Sequence, residues 1–344
     1  MNAQRVTIRS VAREAGVSIT TVSNVLNGRH QQMAVETLER VLAAMERLGY
    51  RPNHLAQSLV TNRTATIGLI MSEVTNSLYP PVTIGAEAAC REAGYSLLLA
   101  AVDDLDAERR AVDLMRAKQV DALVLFSVSF LDIANDHLFR AQAEGTPVVV
   151  INRQLPPEAP LSAVWFDHFG GSRQATRHLI DLGHRRIAHI AGPSHRFTGQ
   201  QRRRGYETAL VEGGINPDPA LIAEGDYSFE SGEALTRRLW KERPTAIFVG
   251  GDAMALGALR ALARLNVRIP ADLSLVAFGN PDFVQYATPA ITTVDLPVAA
   301  AGRVAVELAL RRIRTPAERE VRSLETRLLI RESTAVIHRA QSDG

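Results

Sequence analysis

Cysteine and lysine are nearly missing from this chain: Cys90 is its one cysteine, and Lys118 and Lys241 are its two lysines, in 344 residues. A single cysteine excludes an intrachain disulfide framework and a cysteine-rich zinc site. The lysine shortage reads as genome composition rather than chemistry. No apolar run approaches the ~20 residues that a membrane span requires. The opening MNAQRVTIRSVAREAGVS lacks the apolar stretch of about 7–15 residues that marks a secretory signal. There is no GxxxxGKS/T, no GxSxG, and no GxGxxG opening a helix after a first strand. These absences point to a cytoplasmic protein that is not an enzyme, works off the membrane and needs no cofactor.

What is present is an ordinary globular composition, 46% apolar and 22% charged with a net charge of +2, long enough for two or three domains. Residues 1–62 hold seven arginines against four glutamates, a small basic excess compatible with nucleic-acid contact.

Residues 1–50 read as helices only. Thr7 caps IRSVAREA, whose Ile8, Val11, Ala12 and Ala15 share one face, and Gly16 stops it. Ser18 caps ITTVSNVLN, with Val22, Val25 and Leu26 inward. A third run places Val35, Leu38, Leu42, Met45 and Leu48 on one stripe and ends at Gly49; Pro52 marks the exit. From Ala65 the period changes to apolar strands alternating with amphipathic helices, the pattern of parallel sheets covered on both faces. Some ten such units exceed one sheet, so the core divides into two α/β subdomains, with a break near LPPEAPLSAVWF (155–166).

A helix, a glycine turn and a second helix opening V-S-x-x-T-V-S can lay a recognition helix in the major groove. Ser18, Thr21, Ser23 and Asn27 project opposite Val22, Val25 and Leu26, where short polar groups approach phosphates and base edges. On spacing alone, a solvated polar face explains them equally well.

The stretch TIRSVAREAGVSITTVSNVLNG…TLERVLAAMERLGYRPNHLAQSL resembles the headpiece of the LacI/GalR family of bacterial transcription regulators. The likeness continues in order through IGLI, AGYSLLL, DLGHRRIAHIAGP, GDAMALGALRAL, IPADLSLVAFGN and PAITTVDLP. It implies an α/β architecture: a three-helix helix-turn-helix headpiece (1–50), a hinge helix and linker (51–63), and a periplasmic-binding-protein-like core of parallel sheets (64–344). In that core the first subdomain takes about 64–163 and 296–324, and the second about 164–295 and 325–340.

The resemblance also implies roles for single residues. Ile19, Thr20 and Asn24 take the base-reading positions, and Ser18, Thr21, Ser23 and Asn27 the backbone-holding ones. Thr7 joins this DNA-facing set. PNHLAQSL (52–59) resembles a hinge helix, in which Leu59 wedges into the minor groove, Ala56 lets two helices meet across a dyad and Asn53 touches the backbone. An apolar wedge unstacks a base step at a few kcal/mol, offset by the bend it allows. Eight residues are too few for a helix to persist alone, which suits a switch. An ordinary core leucine is the other reading of Leu59. Many relatives carry a longer polar or basic side chain among positions 19, 20 and 24. Ile19 suits a thymine methyl and Asn24 an adenine or a phosphate, so a different operator sequence is expected.

In such cores ligands sit beyond the carboxyl ends of the strands. That selects Ser72, Asn76 and Tyr79 after GLIM, Asn152 and Arg153 after VVVI, and Asp252 after IFVGG. Arg202 matches a family arginine that grips effector hydroxyls or carboxylates, Tyr227 an aromatic that stacks on a sugar, and Asn280 closes the set. Each has a plainer reading: Arg202 sits in an arginine run, Asp252 can cap a helix, Tyr227 can be core and Tyr79 dimer interface. Relatives commonly carry Asn-Asp at Gly251-Asp252, Asp-Asp at Gly279-Asn280 and Asp at Asn152. A cleft short of carboxylates that keeps Arg202 suits a sugar acid such as gluconate.

His178, His184, His189 and His195 are spaced by six, five and six, which places no pair on one helical face for a metal. Cys90, in an apolar helix, reads as packing. The sum is a ligand-switched repressor of carbohydrate uptake or catabolism genes, binding pseudo-palindromic double-stranded operator DNA as a homodimer. The tail IHRAQSDG has no leucine heptads for a tetramer. A periplasmic-type sugar-binding protein without a regulatory role would share the core, but it needs a signal peptide and has no helical headpiece.

Overall fold

The computed structural model describes residues 6–26, 33–51, 63–72, 78–126 and 135–337. The expected hinge helix (52–59) with Asn53, Ala56 and Leu59 lies outside these residues, as do Asn27 and Asn76. The chain forms two compact units, Met1–Thr64 and Ala65–Gly344.

The first unit holds α1 (Ile8–Ala15), α2 (Ile19–Leu26) and α3 (Val35–Arg47). Thr7 caps α1: its hydroxyl accepts from the Ser10 amide and the Ser10 hydroxyl answers the Thr7 amide, a capping box with serine in the place of glutamate. Gly16 ends α1 at φ 63°, the left-handed geometry glycine adopts without a Cβ penalty. Ser18 Oγ accepts from the Thr21 amide at 3.0 Å and starts α2. The core is Val11, Ala12, Ala15, Val22, Val25, Val41 and Ala44. The expected stripe on α3 is corrected: Val41 and Ala44 are buried, whereas Val35 and Leu42 are exposed. At 100° per residue Val35 and Leu42 lie about 100–120° round the helix from Val41. The inward arc runs through Leu38, Val41, Met45 and Leu48.

The second unit contains two six-stranded sheets. Chain order runs β1 (Thr66–Ser72), α4 (Tyr79–Glu92), β2 (Ser96–Val102), α5 (Leu105–Ala117), β3 (Ala122–Phe126), α6 (Asp136–Ala143), β4 (Val148–Ile151) and β5 (Ser162–Phe166). It continues through α7 (His168–Asp181), β6 (Ile187–Ala191), α8 (Phe197–Glu212), β7 (Ile222–Glu224), α9 (Phe229–Trp240), β8 (Ala246–Val249), α10 (Asp252–Arg264), β9 (Ser274–Phe278), α11 (Asp282–Tyr286) and β10 (Thr292–Asp295). Helix α12 (Val298–Arg314), β11 (Val321–Leu324) and β12 (Arg327–Leu329) close it. The first sheet is ordered β11-β5-β4-β3-β1-β2 and the second β12-β10-β9-β8-β6-β7. All pairs are parallel except β10–β12.

Fully buried strands such as ALVLF and AIFV explain the continuous apolar runs, since both faces carry helices. The chain passes between subdomains three times, after β5, after β10 and between β11 and β12. Strand β5 reaches Phe166 in the first sheet, so the first crossing falls at Asp167 and not at residue 163. One hydrophobic cluster runs through both subdomains, joining Ile67, Val124 and Phe166 to Leu179, Phe248 and Phe278. Helices α4 and α12 touch at Gly85 and Gly302, where a Cβ would collide with the carbonyls of Ala299 and Val82.

Candidate functional site

On α2 the exposed side is built from Ile19, 45% exposed, with Thr20 exposed and Ser23 and Asn24 half-buried. Ser18 and Thr21 hydroxyls bond each other at 2.9 Å. A β-branched apolar side chain held out to water beside short polar ones is a surface shaped for contact.

In the core, two of the residues selected by sequence gather beside Arg202, Tyr227 directly and Asn152 through His168. This arginine of α8 is 6% exposed. Its guanidinium carbon lies 3.9 Å over the Phe278 ring and 5.6 Å from the Tyr227 ring centre. Its Nη1 donates to the Gly250 carbonyl at 2.5 Å. The cation is thus placed by aromatic faces and a backbone oxygen, both attractive to positive charge. Tyr227 holds φ 71° and shares a hydrogen bond of 3.1 Å with Thr198 Oγ1. A Cβ at Gly251 would fall 2.9 Å from the Tyr227 ring, so the ring fills the space that a side chain at 251 would need.

On the first subdomain's side Asn152, at φ 56° and 7% exposed, meets His168 Nε2 through Oδ1 at 2.8 Å. Nδ1 of the same imidazole lies 3.4 Å from Arg202 Nε and Nη2. Burial, and next the Arg202 charge, hold this imidazole well below its usual value, so it is neutral. Ser72 Oγ and Tyr79 OH bond each other at 2.6 Å. Tyr79 begins a row of rings: Tyr79–Phe126 (5.0 Å), Phe126–Phe166 (6.4 Å), Phe166–His168 (6.0 Å), His168–Phe278 (5.7 Å) and Phe278–Phe248 (6.5 Å). The row begins in the first subdomain and ends in the second, and His168 joins its halves.

Arg153 takes another place, while Asn280 and Asp252 have protein partners of their own. Arg153 is internal: Nη1 donates to both oxygens of the fully buried Glu108 at 2.7 and 2.9 Å, and Nε donates to Asn135. Asn280 Oδ1 accepts from Arg331 at 2.8 Å. Asp252 is the first residue of α10 rather than its cap, which is Gly251, and its carboxylate accepts from the Ala253 amide. Three of the four spaced histidines are struts within the second subdomain, while His195 is exposed. His178 bonds Thr334, His184 bonds Thr245 and Ser274, and His189 bonds the Phe248 carbonyl. Among the described residues no cluster of three or more His, Cys, Asp or Glu could hold a metal ion, and no helix is long and apolar enough to cross a membrane.

Sequence reasoning missed His168 and Phe278. The rule that selects Asn152 after VVVI also selects His168, two residues beyond SAVWF. Phe278 carries no such signal, because at the end of an apolar strand it reads as core.

The model of the lacI family of bacterial regulatory proteins matches residues 7–53, and that of the periplasmic binding protein-like domain matches residues 176–334. The HTH-type transcriptional regulator CelR of Thermobifida fusca is 37% identical over 339 residues, covering 96% of this chain and 98% of its own. Among solved structures, a transcriptional regulator CelR–cellobiose complex aligns at TM-score 0.73 and 35% identity, over 96% of this chain and all of its own. The lac repressor dimer bound to operator and the anti-inducer ONPF aligns at TM-score 0.82 and 28% identity, again over 96% of this chain and all of its own.

Proposed function

The chain belongs to the lacI family of bacterial regulatory proteins, and from that premise we propose that this DNA-binding repressor is a cytoplasmic homodimer acting on carbohydrate uptake or catabolism genes. It reads a pseudo-palindromic operator through Ile19, Thr20 and Asn24, with Thr7, Ser18, Thr21, Ser23 and Asn27 on the backbone. Leu59 wedges into the minor groove at the central step, Ala56 lets the two hinge helices meet across the dyad and Asn53 touches the backbone. One headpiece reads a half-site, and two-fold symmetry supplies the other. Exposed apolar side chains support self-association: Ile84 on α4, Leu98 and Leu99 on the edge strand β2, and Phe229, Leu256 and Tyr286 on the second subdomain.

A small sugar or sugar acid switches the repressor from the cleft around Arg202. The carrying observation is the buried guanidinium itself, set on Phe278 beside Tyr227 and the Asn152–His168 pair. Ser72, Tyr79, Asp252, Asn76 and Asn280 complete the proposed contact set. Gly251 and Gly279 add no carboxylate or carboxamide facing that cation, which favours an aldonate such as gluconate. Bidentate recognition by a guanidinium fits a carboxylate. The competing ligand is a neutral sugar, favoured by the cellobiose complex of CelR.

Three measurements test this. Selection from randomised duplexes at fixed salt should enrich a palindrome with a deformable centre. Deleting residues 1–62 should abolish DNA binding and leave ligand affinity nearly unchanged; surviving DNA affinity would overturn the headpiece assignment. Calorimetric titration should show gluconate binding in preference to cellobiose, and neutral hexoses binding where aldonates do not would sink the sugar-acid reading.

A further inference from the structure

The contact between Asn152 and His168 joins the subdomains: Asn152 follows β4 of the first sheet, and His168 opens α7, which packs on the second. Its chemistry is determined by the third partner. A guanidinium only donates, so Nδ1 of His168, 3.4 Å from Arg202 Nε and Nη2, must be the acceptor. The proton of the neutral ring then sits on Nε2 and is donated to Asn152 Oδ1. One tautomer alone satisfies both neighbours.

The two sides differ in strength. The Asn152 bond, at 2.8 Å, has ordinary length, while the 3.4 Å contacts to Arg202 lie at the outer edge of hydrogen bonding. Each end is anchored. Arg153, next to Asn152, is fixed by the buried Glu108. Asp167, next to His168, caps α7 through the Gly170 amide, and its carbonyl accepts from Thr326 in the third crossing. A ligand group drawing on the Arg202 guanidinium therefore competes for the weak side of the imidazole and leaves the strong side to respond.

We propose that His168 is the positioning residue through which occupancy of the Arg202 site controls the relation of the two subdomains, its imidazole being the latch between Asn152 and Arg202. This rests on the effector site proposed above. It differs from a packing role, for which a ring between Phe166 and Phe278 would be enough.

His168→Phe keeps a ring in that gap and removes both nitrogen contacts, so it separates the two roles. The experiment uses the full chain and measures affinity for the selected operator duplex with and without saturating gluconate, and again with cellobiose as second probe. His168→Phe should bring the two operator affinities within about twofold of each other, whatever their ratio in the unaltered protein. A ratio equal to that of the unaltered protein overturns the proposal. An unaltered protein that answers neither probe contradicts the effector reading instead.

A second measurement needs no ligand. In 15N-histidine-labelled full chain, the His168 signals, identified by their loss in His168→Phe, should show the single Nε2–H tautomer. Arg202→Met, which removes the donor facing Nδ1, should move them toward a tautomer mixture. Averaged tautomers in the unaltered protein, or no change in Arg202→Met, would mean that the ring is only packed there, and the proposal falls.

Discussion

The guanidinium of Arg202 rests 3.9 Å above the ring of Phe278. The planar cation is held there by the ring face below and by the Gly250 carbonyl, which accepts from Nη1 at 2.5 Å. An ammonium group reproduces neither the plane nor the fork. Arg202→Lys should therefore weaken binding of the gluconate probe by about tenfold or more, a magnitude typical of a desolvated cation–π contact. Calorimetry on the full chain checks this; an unchanged affinity would remove Arg202 from the ligand site.

Glu108 and Arg153 form a buried pair, with exposures of 0% and 1%. Glu108→Gln leaves the guanidinium without its counter-charge. Removing one member of such a pair costs roughly 3–5 kcal/mol. Urea unfolding at pH 7 should show a lowered midpoint for the core unit, and a midpoint equal to that of the unaltered protein would contradict the burial.

Ser18 Oγ takes the Thr21 amide at the start of α2. Loss of such a cap costs about 1 kcal/mol, and α2 has only eight residues over which to absorb it. Ser18→Ala should weaken operator binding several-fold while leaving ligand affinity alone. Fluorescence anisotropy on the selected duplex and calorimetry together read this difference.

Gly302 and Gly85 let α12 and α4 approach until a Cβ would strike the facing backbone. Backbone cannot rotate away as a side chain can. Gly302→Ala should destabilise the core by roughly 1–3 kcal/mol, the usual cost of overpacking. A thermal midpoint matching the parent protein would show that the helices separate freely.

Four buried or half-buried histidines make stability depend on pH in one direction. Burial lowers His168, His178 and His184, and pushes His189 down to about 4. The unfolded imidazole titrates near 6.5, so as pH falls the unfolded chain takes up protons first. Stability from His189 is complete above about 6.5 and is lost progressively toward about 4, on the order of 3 kcal/mol in all. The other three act with the same sign. Unfolding midpoints measured between pH 7.5 and 4.5 should fall steadily through that window, and a flat profile would contradict the neutral buried rings.

Much of the architecture was legible because local chemistry alone decides it. Thr7, Gly16 and Ser18 mark helix ends by the hydrogen bonds and dihedrals their side chains permit, and continuous runs such as VVVI admit only strands covered on both faces. The α3 stripe was misread because five apolar residues fit two arcs of one helix, and only the positions of α1 and α2 decide which arc is inside. The first crossing was placed three residues early because SAVWF is apolar throughout, so nothing in it marks the sheet's edge.

The sequence by itself determined the family, the headpiece helices and the two α/β halves, and it singled out Arg202 as the cation proposed to face the ligand, since each depends on residue type at short spacing. Tertiary structure decided what surrounds that cation. Phe278, Gly250 and His168 come from β9, the loop after β8 and the start of α7, and no local pattern links segments so far apart. It also separated neighbours: Asn152 turns to His168 while Arg153, one residue on, is spent on Glu108. Successive side chains leave a strand end in different directions, and which one turns toward the surroundings of Arg202 is fixed by what the other finds to pair with.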